Sequence, residues 1–82
     1  PSFDFRLQPN VVKDVSKLVI TGAIGKHKTV SCWDALGRRL QRVQIAPLTS
    51  TLPIDAGNWP VGLYWIVLEV NGERVVRKLV KT

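Results

Sequence analysis

Apolar side chains recur at every second residue through most of this chain, and that period of two is what most restricts its fold. Phe3, Phe5 and Leu7 alternate with polar residues, and Leu18 and Ile20 repeat the pattern. Strict alternation is typical of a β-strand with one face in the core, whereas an amphipathic helix needs a period of about 3.6 residues. No stretch keeps the helical period for three turns, so the sequence predicts a chain without helices.

Seven short strands follow from the alternation and from the turn residues that separate them. We place them at residues 3–8, 17–21, 29–33, 40–45, 52–54, 63–70 and 74–81. The 63–70 strand is apolar on both faces at its start, which favours a central position in a sheet. Asn71 and Gly72 follow it directly and predict a hairpin, because both residues tolerate positive φ in a type I′ turn.

The 40–45 strand carries a change of phase. Its apolar residues pass from an even to an odd position between Leu40 and Val43. A β-bulge near Gln41 and Arg42 would return both apolar side chains to one face. We therefore expect a bulged strand that is buried on one side.

Length and composition agree with a small all-β domain. We interpret residues 1–82 as a single domain, and the opening Pro1 together with the lack of Met predicts a piece of a larger protein. Seven strands of this spacing favour an immunoglobulin-like antiparallel β-sandwich. A hydrophobic share of 45% is enough for a core and excludes a disordered tail. Because Cys32 is the only cysteine, there is no disulfide, and we expect its thiol to be buried and inert beside Val30.

Residues for catalysis or metal binding are scarce. His27 is the only histidine and lies between two lysines in a predicted turn, with no nucleophile near it in sequence. One His, one Cys and six scattered acids form no ligand set for a metal. No glycine-rich phosphate loop is present. The sequence therefore predicts a protein that is not an enzyme and needs no cofactor or metal.

Basic residues dominate the charge, with twelve Lys and Arg against six Asp and Glu and a net charge of +6. Such an excess favours an acidic partner. Binding of single-stranded nucleic acid would also need exposed aromatics, for which Trp33 and Trp65 are the candidates. Lys and Arg on edge and terminal strands equally protect a sheet from aggregation. We favour this interpretation and expect no nucleic-acid partner, and we expect Trp59 to fill a corner of the core.

A series of short motifs follows one another along nearly the whole chain. They are Leu-Gln-Pro-Asn at 7–10, an apolar strand at 18–20, a strand–Asp-x-x-Gly-Arg–strand run at 30–40, the segments 52–55 and 59–64, and a basic strand after Asn71-Gly72. In this order they resemble the C-terminal sorting domain of the type IX secretion system of Bacteroidetes. Leu7 and Val11 depart from the family's opening aromatic-Pro-Asn-Pro, and Trp59 stands where leucine is common.

The resemblance implies a sorting signal and not an enzyme. Such domains direct their parent protein from the periplasm across the outer membrane, to the cell surface or the medium. Their implied partners are the outer-membrane translocon and shuttle proteins, which recognise the folded sandwich, and the preceding domain of the parent. In most cargo a sortase-like peptidase removes the domain, and the protein is joined to anionic lipopolysaccharide.

Two surface elements are implied as the recognition site. They comprise Asp34, Gly37 and Arg38 in the loop, and Lys78, Leu79, Val80 and Lys81 in the terminal strand. We expect both to be exposed, and the terminal strand to end in free solvent, where its backbone could pair with another sheet edge. A tight loop would fix Arg38 at low entropic cost, and its guanidinium suits bidentate contact with a carboxylate.

Two other functions remain open from the residues. The first is an immunoglobulin-like spacer or adhesive domain of a surface protein, with its basic face packed on a neighbour. The second is a nucleic-acid-binding barrel, which would bind DNA in a salt-dependent way. A position at the C-terminus of an exported protein would favour sorting, and an internal position would favour a spacer.

Overall fold

The computed structural model describes all 82 residues, which form eight β-strands and no helix. The strands are β1 (Asp4–Gln8), β2 (Val11–Val12), β3 (Val15–Thr21), β4 (Lys28–Asp34), β5 (Arg39–Ile45), β6 (Thr51–Asp55), β7 (Gly62–Val70) and β8 (Glu73–Lys81). The structure contains no helix that is long and apolar enough to cross a membrane. The seven predicted strands are all present, and β2 is an eighth that the alternation did not reveal.

The strands form two sheets. The smaller has the order β1-β3-β6, and the larger has the order β2-β8-β7-β4-β5. This is the two-layer sandwich predicted from the sequence, consistent with an immunoglobulin-like fold and without a disulfide. All neighbouring strands are antiparallel except β2 and β8, which run parallel. The predicted antiparallel sandwich is therefore confirmed, with one short parallel pair added at its edge.

The core is one cluster of sixteen buried apolar residues that lies between the sheets. Tyr64, Ile66 and Leu68 all point into it from β7, as the alternation predicts. Cys32 is buried in the same cluster as Val30 and Ile20, so the expected burial of the thiol is confirmed. Trp59 packs against the edge of the cluster, with its ring centroid 4.8 Å from that of Tyr64. It fills a corner, as expected.

The bulge in β5 lies at a different residue from the one predicted. Cys32 of β4 lies opposite Gln41 and Trp33 lies opposite Arg39, so Leu40 is the extra residue. The bulge thus lies just before the predicted Gln41–Arg42 site, and it does not bury Leu40, which is exposed. Because β5 is the outermost strand of its sheet, only Ile45 at its end reaches the core.

The strand β2 ties the N-terminal part of the chain to the C-terminal strand. After β1 the chain leaves the smaller sheet, and Val11 and Val12 pair with Val80 and Lys81 in the larger one. Strands that change sheets in this way form the corners of a sandwich. The end of β8 therefore has a neighbour on each side, β7 and β2.

The sequence favours solvated or edge-protecting positions for the basic residues, but two of them, Lys28 and Lys81, lie in the interior. Lys28 is buried, and its ammonium donates to the carbonyl oxygens of Lys26 at 3.0 Å and Pro47 at 2.7 Å. A buried charge needs such partners to offset its loss of water. The expectation of a solvated side chain is therefore wrong for Lys28, which holds two loops together.

Candidate functional site

The turn between β4 and β5 consists of residues 34–38, which we call the DxxGR turn. The Asp34 N–H donates to the Arg38 carbonyl at 2.9 Å, and the Gly37 N–H donates to the Asp34 carbonyl at 3.0 Å. Gly37 has φ of +81° and no atom within 4 Å of where a Cβ would stand. The requirement for glycine therefore comes from the backbone conformation and not from lack of space.

The Asp34 carboxylate organises this turn from inside. Its Oδ1 accepts the backbone N–H groups of Leu36 at 3.0 Å and Arg38 at 2.9 Å, while Oδ2 accepts from Arg38 Nε at 2.7 Å. These hydrogen bonds lower the pKa of Asp34 below its ordinary 3.8. The bond from the Arg38 N–H has the largest effect, and the bonds from the Arg38 side chain and the Leu36 N–H add to it. The side chain is only 12% exposed. The expectation of an exposed Asp34 is wrong, because its oxygens turn inward to bond the backbone.

Arg38 is the exposed member of the turn. Its side chain is 73% exposed although Nε is bound to Asp34. The bond leaves the terminal guanidinium nitrogens free, since no other protein group accepts from them. The cation is thus held in one direction at the surface, where it can donate to a carboxylate or another anion.

A groove of about 240 Å³ runs beside the DxxGR turn, at the same end of the sandwich. Apolar side chains form most of its lining, and Arg38 stands at its border. Two of its lining residues, Leu36 and Val61, are strongly exposed. This end groove was not anticipated, because its walls are about 25 residues apart in sequence.

The terminal strand lies near the turn. Asp34 is paired with Tyr64 of β7, and Tyr64 is paired with Leu79 of β8. Two strand spacings, roughly 10 Å, therefore separate the backbone of Asp34 from that of Leu79. The structure brings the two predicted recognition elements to one end of the larger sheet.

The four terminal residues do not share one environment. Lys78 is exposed and Val80 is half-buried, but Leu79 lies in the core with no exposed surface. Lys81 is 7% exposed, and its ammonium donates to the carbonyl oxygens of Lys13 and Gly57. The expectation of an exposed segment is wrong for Leu79 and Lys81, because one faces the other sheet and the other binds two loops.

The expected free end of β8 is also absent. The Val80 N–H donates to the Asn10 carbonyl and the Thr82 N–H donates to the Val12 carbonyl, both at 2.9 Å. The short strand β2 thus occupies the edge at which another chain could have paired. Strand addition at the end of β8 would require β2 to leave.

The remaining candidates show no catalytic arrangement. No group of three or more His, Cys, Asp or Glu residues lies close enough together to hold a metal ion. Burial raises the pKa of the Cys32 thiol to about 11, which keeps it protonated at neutral pH. His27 is exposed in the loop before β4.

In a comparison with known protein families, residues 6–82 match the secretion system C-terminal sorting domain. The match includes all eight strands apart from the first two residues of β1. The chain belongs to the type IX secretion C-terminal sorting domain family. Comparison with curated proteins gives no match.

Membership fixes the general role of the sorting domain. The family consists of secretion sorting signals and is not a family of enzymes. A sorting domain of this kind interacts with the type IX secretion machinery and marks a protein for export across the outer membrane, to the surface or beyond. The resemblance seen in the motifs is thereby confirmed.

Proposed function

We propose that the secretion machinery recognises this domain as a folded module, in the periplasm, through the end of the sandwich that carries the DxxGR turn. The single observation that carries the proposal is the geometry of Arg38. Its guanidinium is exposed, yet its backbone N–H and its Nε both donate to the Asp34 carboxylate, and these two bonds hold it in place. A preorganised cation loses little entropy when it meets its partner.

Within this proposal the seven candidate residues have different tasks. Arg38 and Lys78 contact the translocon or a shuttle protein directly, because their charges are exposed. Asp34 and Gly37 shape the turn that presents Arg38. The other three residues, Leu79, Val80 and Lys81, hold the terminal strand in the sheet next to it.

The later steps belong to the same proposal. After transport a sortase-like peptidase can remove the domain at the surface, and the segment before β1 is where such a cut would separate it from the preceding domain. Residues 1–82 would then be the sorting unit of a larger secreted or surface protein.

The test is export of a periplasmic reporter that carries residues 1–82 in a host with type IX secretion. Arg38→Ala should lower the secreted fraction at an unchanged melting temperature, because exposed ion pairs contribute little to stability. Arg6→Ala is the matched control, since Arg6 is also exposed but lies on the smaller sheet. Normal export of a stable Arg38→Ala reporter would contradict recognition through this turn.

A further inference from the structure

The solvent side of the larger sheet has an unusual composition. An antiparallel sheet with one face in the core presents mainly polar residues on the other. Here β7 directs Leu63, Trp65 and Val67 outward, and Trp65 is 39% exposed. Val76 of β8 lies opposite Val67 and is also exposed. Exposed and partly exposed apolar side chains that adjoin one another on a sheet face are typical of interaction sites.

Basic side chains border this apolar surface. The strand register gives one row across four strands, in the order Lys78, Trp65, Trp33, Arg39. Both tryptophans thus lie in the middle and both cations at the ends. We call the outward residues of β4, β5, β7 and β8 the tryptophan face. Arg42 and Arg74 add two cations to it, and Glu69 is its single acid.

The contacts within the row favour a protein partner. The Arg39 Cζ atom lies over the Trp33 ring, 6.0 Å from its centroid, and the Trp33 Nε1–H donates to Ser31 Oγ at 3.0 Å. A ring covered by a guanidinium is poorly placed to stack on a nucleic-acid base or a sugar. A carboxylate, in contrast, can accept from Arg39 while apolar groups contact Trp65. Trp and Arg are also the residues most enriched at the centres of protein interfaces.

We propose that the tryptophan face is a second docking surface, which binds a protein surface that is apolar in its centre and acidic at its border. Four cations against one acid supply the charge complementarity. The face lies on the side of the larger sheet and shares Lys78 with the proposed recognition site, but it excludes the DxxGR turn, so this inference does not depend on export through Arg38.

Binding of the 82-residue chain to two immobilised polymers at low ionic strength tests the proposal. One polymer is poly-L-glutamate, and the other is a random copolymer of glutamate and tyrosine of equal length. The copolymer should bind more tightly, because its rings can contact Trp65. Trp65→Thr should remove that advantage and leave the fold intact, since threonine suits an outward strand position.

Charge placement is tested by two double variants with the same net charge. Arg39→Gln/Lys78→Gln should weaken copolymer binding roughly tenfold. Arg6→Gln/Lys17→Gln, on the outer side of the smaller sheet, should weaken it less than about twofold, as distant screened charges do. Melting temperatures establish that all variants are folded.

Several results would overturn the proposal. Equal losses in the two double variants would mean that net charge alone drives binding. An unchanged preference for the copolymer in Trp65→Thr would remove the aromatic contact. Tighter binding of heparin or single-stranded DNA than of the copolymer, lost in Arg39→Gln/Lys78→Gln, would assign the face to a different class of polyanion.

Discussion

At the scale of single residues, the three buried charges of this domain, Lys28, Asp34 and Lys81, all bond backbone groups. Asp34 accepts two backbone N–H groups and the Arg38 side chain, and the buried Lys28 and Lys81 each donate to two carbonyl oxygens from loops. A buried polar group left without a partner costs about 1–3 kcal/mol, and no buried side-chain N or O atom lacks one here. These charges therefore organise the turns between the strands.

The lowered pKa of Asp34 predicts a specific pH dependence. Because the folded pKa lies below the ordinary 3.8, the carboxylate stabilises the fold fully above that pH and loses its contribution as pH falls through the folded value. Asp34→Asn should melt below the parent at pH 7, and the gap should narrow at pH 2–3. Thermal melts of both proteins across this range measure it. A gap that stays constant with pH would exclude the charge as its cause.

Burial of Cys32 predicts a thiol that reacts only when the domain opens. With its pKa raised to about 11, the native thiol is almost entirely protonated at pH 8, and reagents cannot reach it. Labelling by an aromatic disulfide should be slow in buffer and fast in urea. Native labelling as rapid as that of a short peptide would contradict the buried position.

Tyr64 combines packing with one hydrogen bond. Its hydroxyl donates to the Pro60 carbonyl at 2.5 Å, and its ring packs against Trp59. Tyr64→Phe should cost about 1 kcal/mol, the net value of one hydrogen bond. Tyr64→Ala should cost about 3–5 kcal/mol, as large aromatic truncations do. Urea denaturation measures both, and equal losses would mean that the ring contributes nothing beyond its hydroxyl.

At the scale of strands, the sequence predicted what depends on local alternation. The seven predicted strands and the core faces of β4 and β7 followed from the period of two. The strand β2 did not, because two residues carry no period and its pairing with β8 joins positions about 70 apart in the chain. The bulge was placed too late, since an edge strand has no buried face to fix the phase of Leu40.

The candidate site was likewise predicted only where local sequence decides it. Its motif was visible as Asp-x-x-Gly-Arg, and the structure gives each of these residues a defined place in the turn. The burial of Lys81 was not visible, because its partners Lys13 and Gly57 come from two distant loops. The tryptophan face depends on register between strands, which alternation alone leaves undetermined.

Lys81 gives a test of the terminal strand. Lys81→Met keeps the length of the side chain but leaves the Lys13 and Gly57 carbonyl oxygens without their donor, which should cost about 1–3 kcal/mol. Lys78→Met is the control, three residues earlier on the opposite face of β8, and as an exposed substitution it should change stability by less than about 0.5 kcal/mol. Equal stability of the two variants in urea would show that the ammonium of Lys81 does not hold the loops.

At the scale of the whole molecule, contacts from β1 and β2 join the two sheets. Arg77 of β8 binds Asp4 of β1 at 2.6 Å, and the Arg77 Cζ atom lies 5.9 Å from the centroid of the Phe5 ring. The strand β2 closes the edge next to it. The end that carries Arg38 and the tryptophan face are therefore parts of one body, and unfolding removes both together.

Export should accordingly follow the fraction of molecules that are folded. Ile66 is fully buried in the centre of β7, so Ile66→Val should cost about 0.5–1.5 kcal/mol and Ile66→Ala about 2–5 kcal/mol. Neither substitution touches the surface. A small domain has a free energy of unfolding of roughly 5 kcal/mol, so Ile66→Ala should remove much of it.

The reporter with Ile66→Val should be exported almost as well as the parent, whereas the Ile66→Ala reporter should be retained or degraded. Growth at lower temperature should restore export of Ile66→Ala in proportion to its recovered folded fraction, measured by melting of the same variant. Such a rescue cannot occur for Arg38→Ala, which is folded at both temperatures. Full export of an unfolded Ile66→Ala domain would mean that the machinery reads a linear segment and not the sandwich.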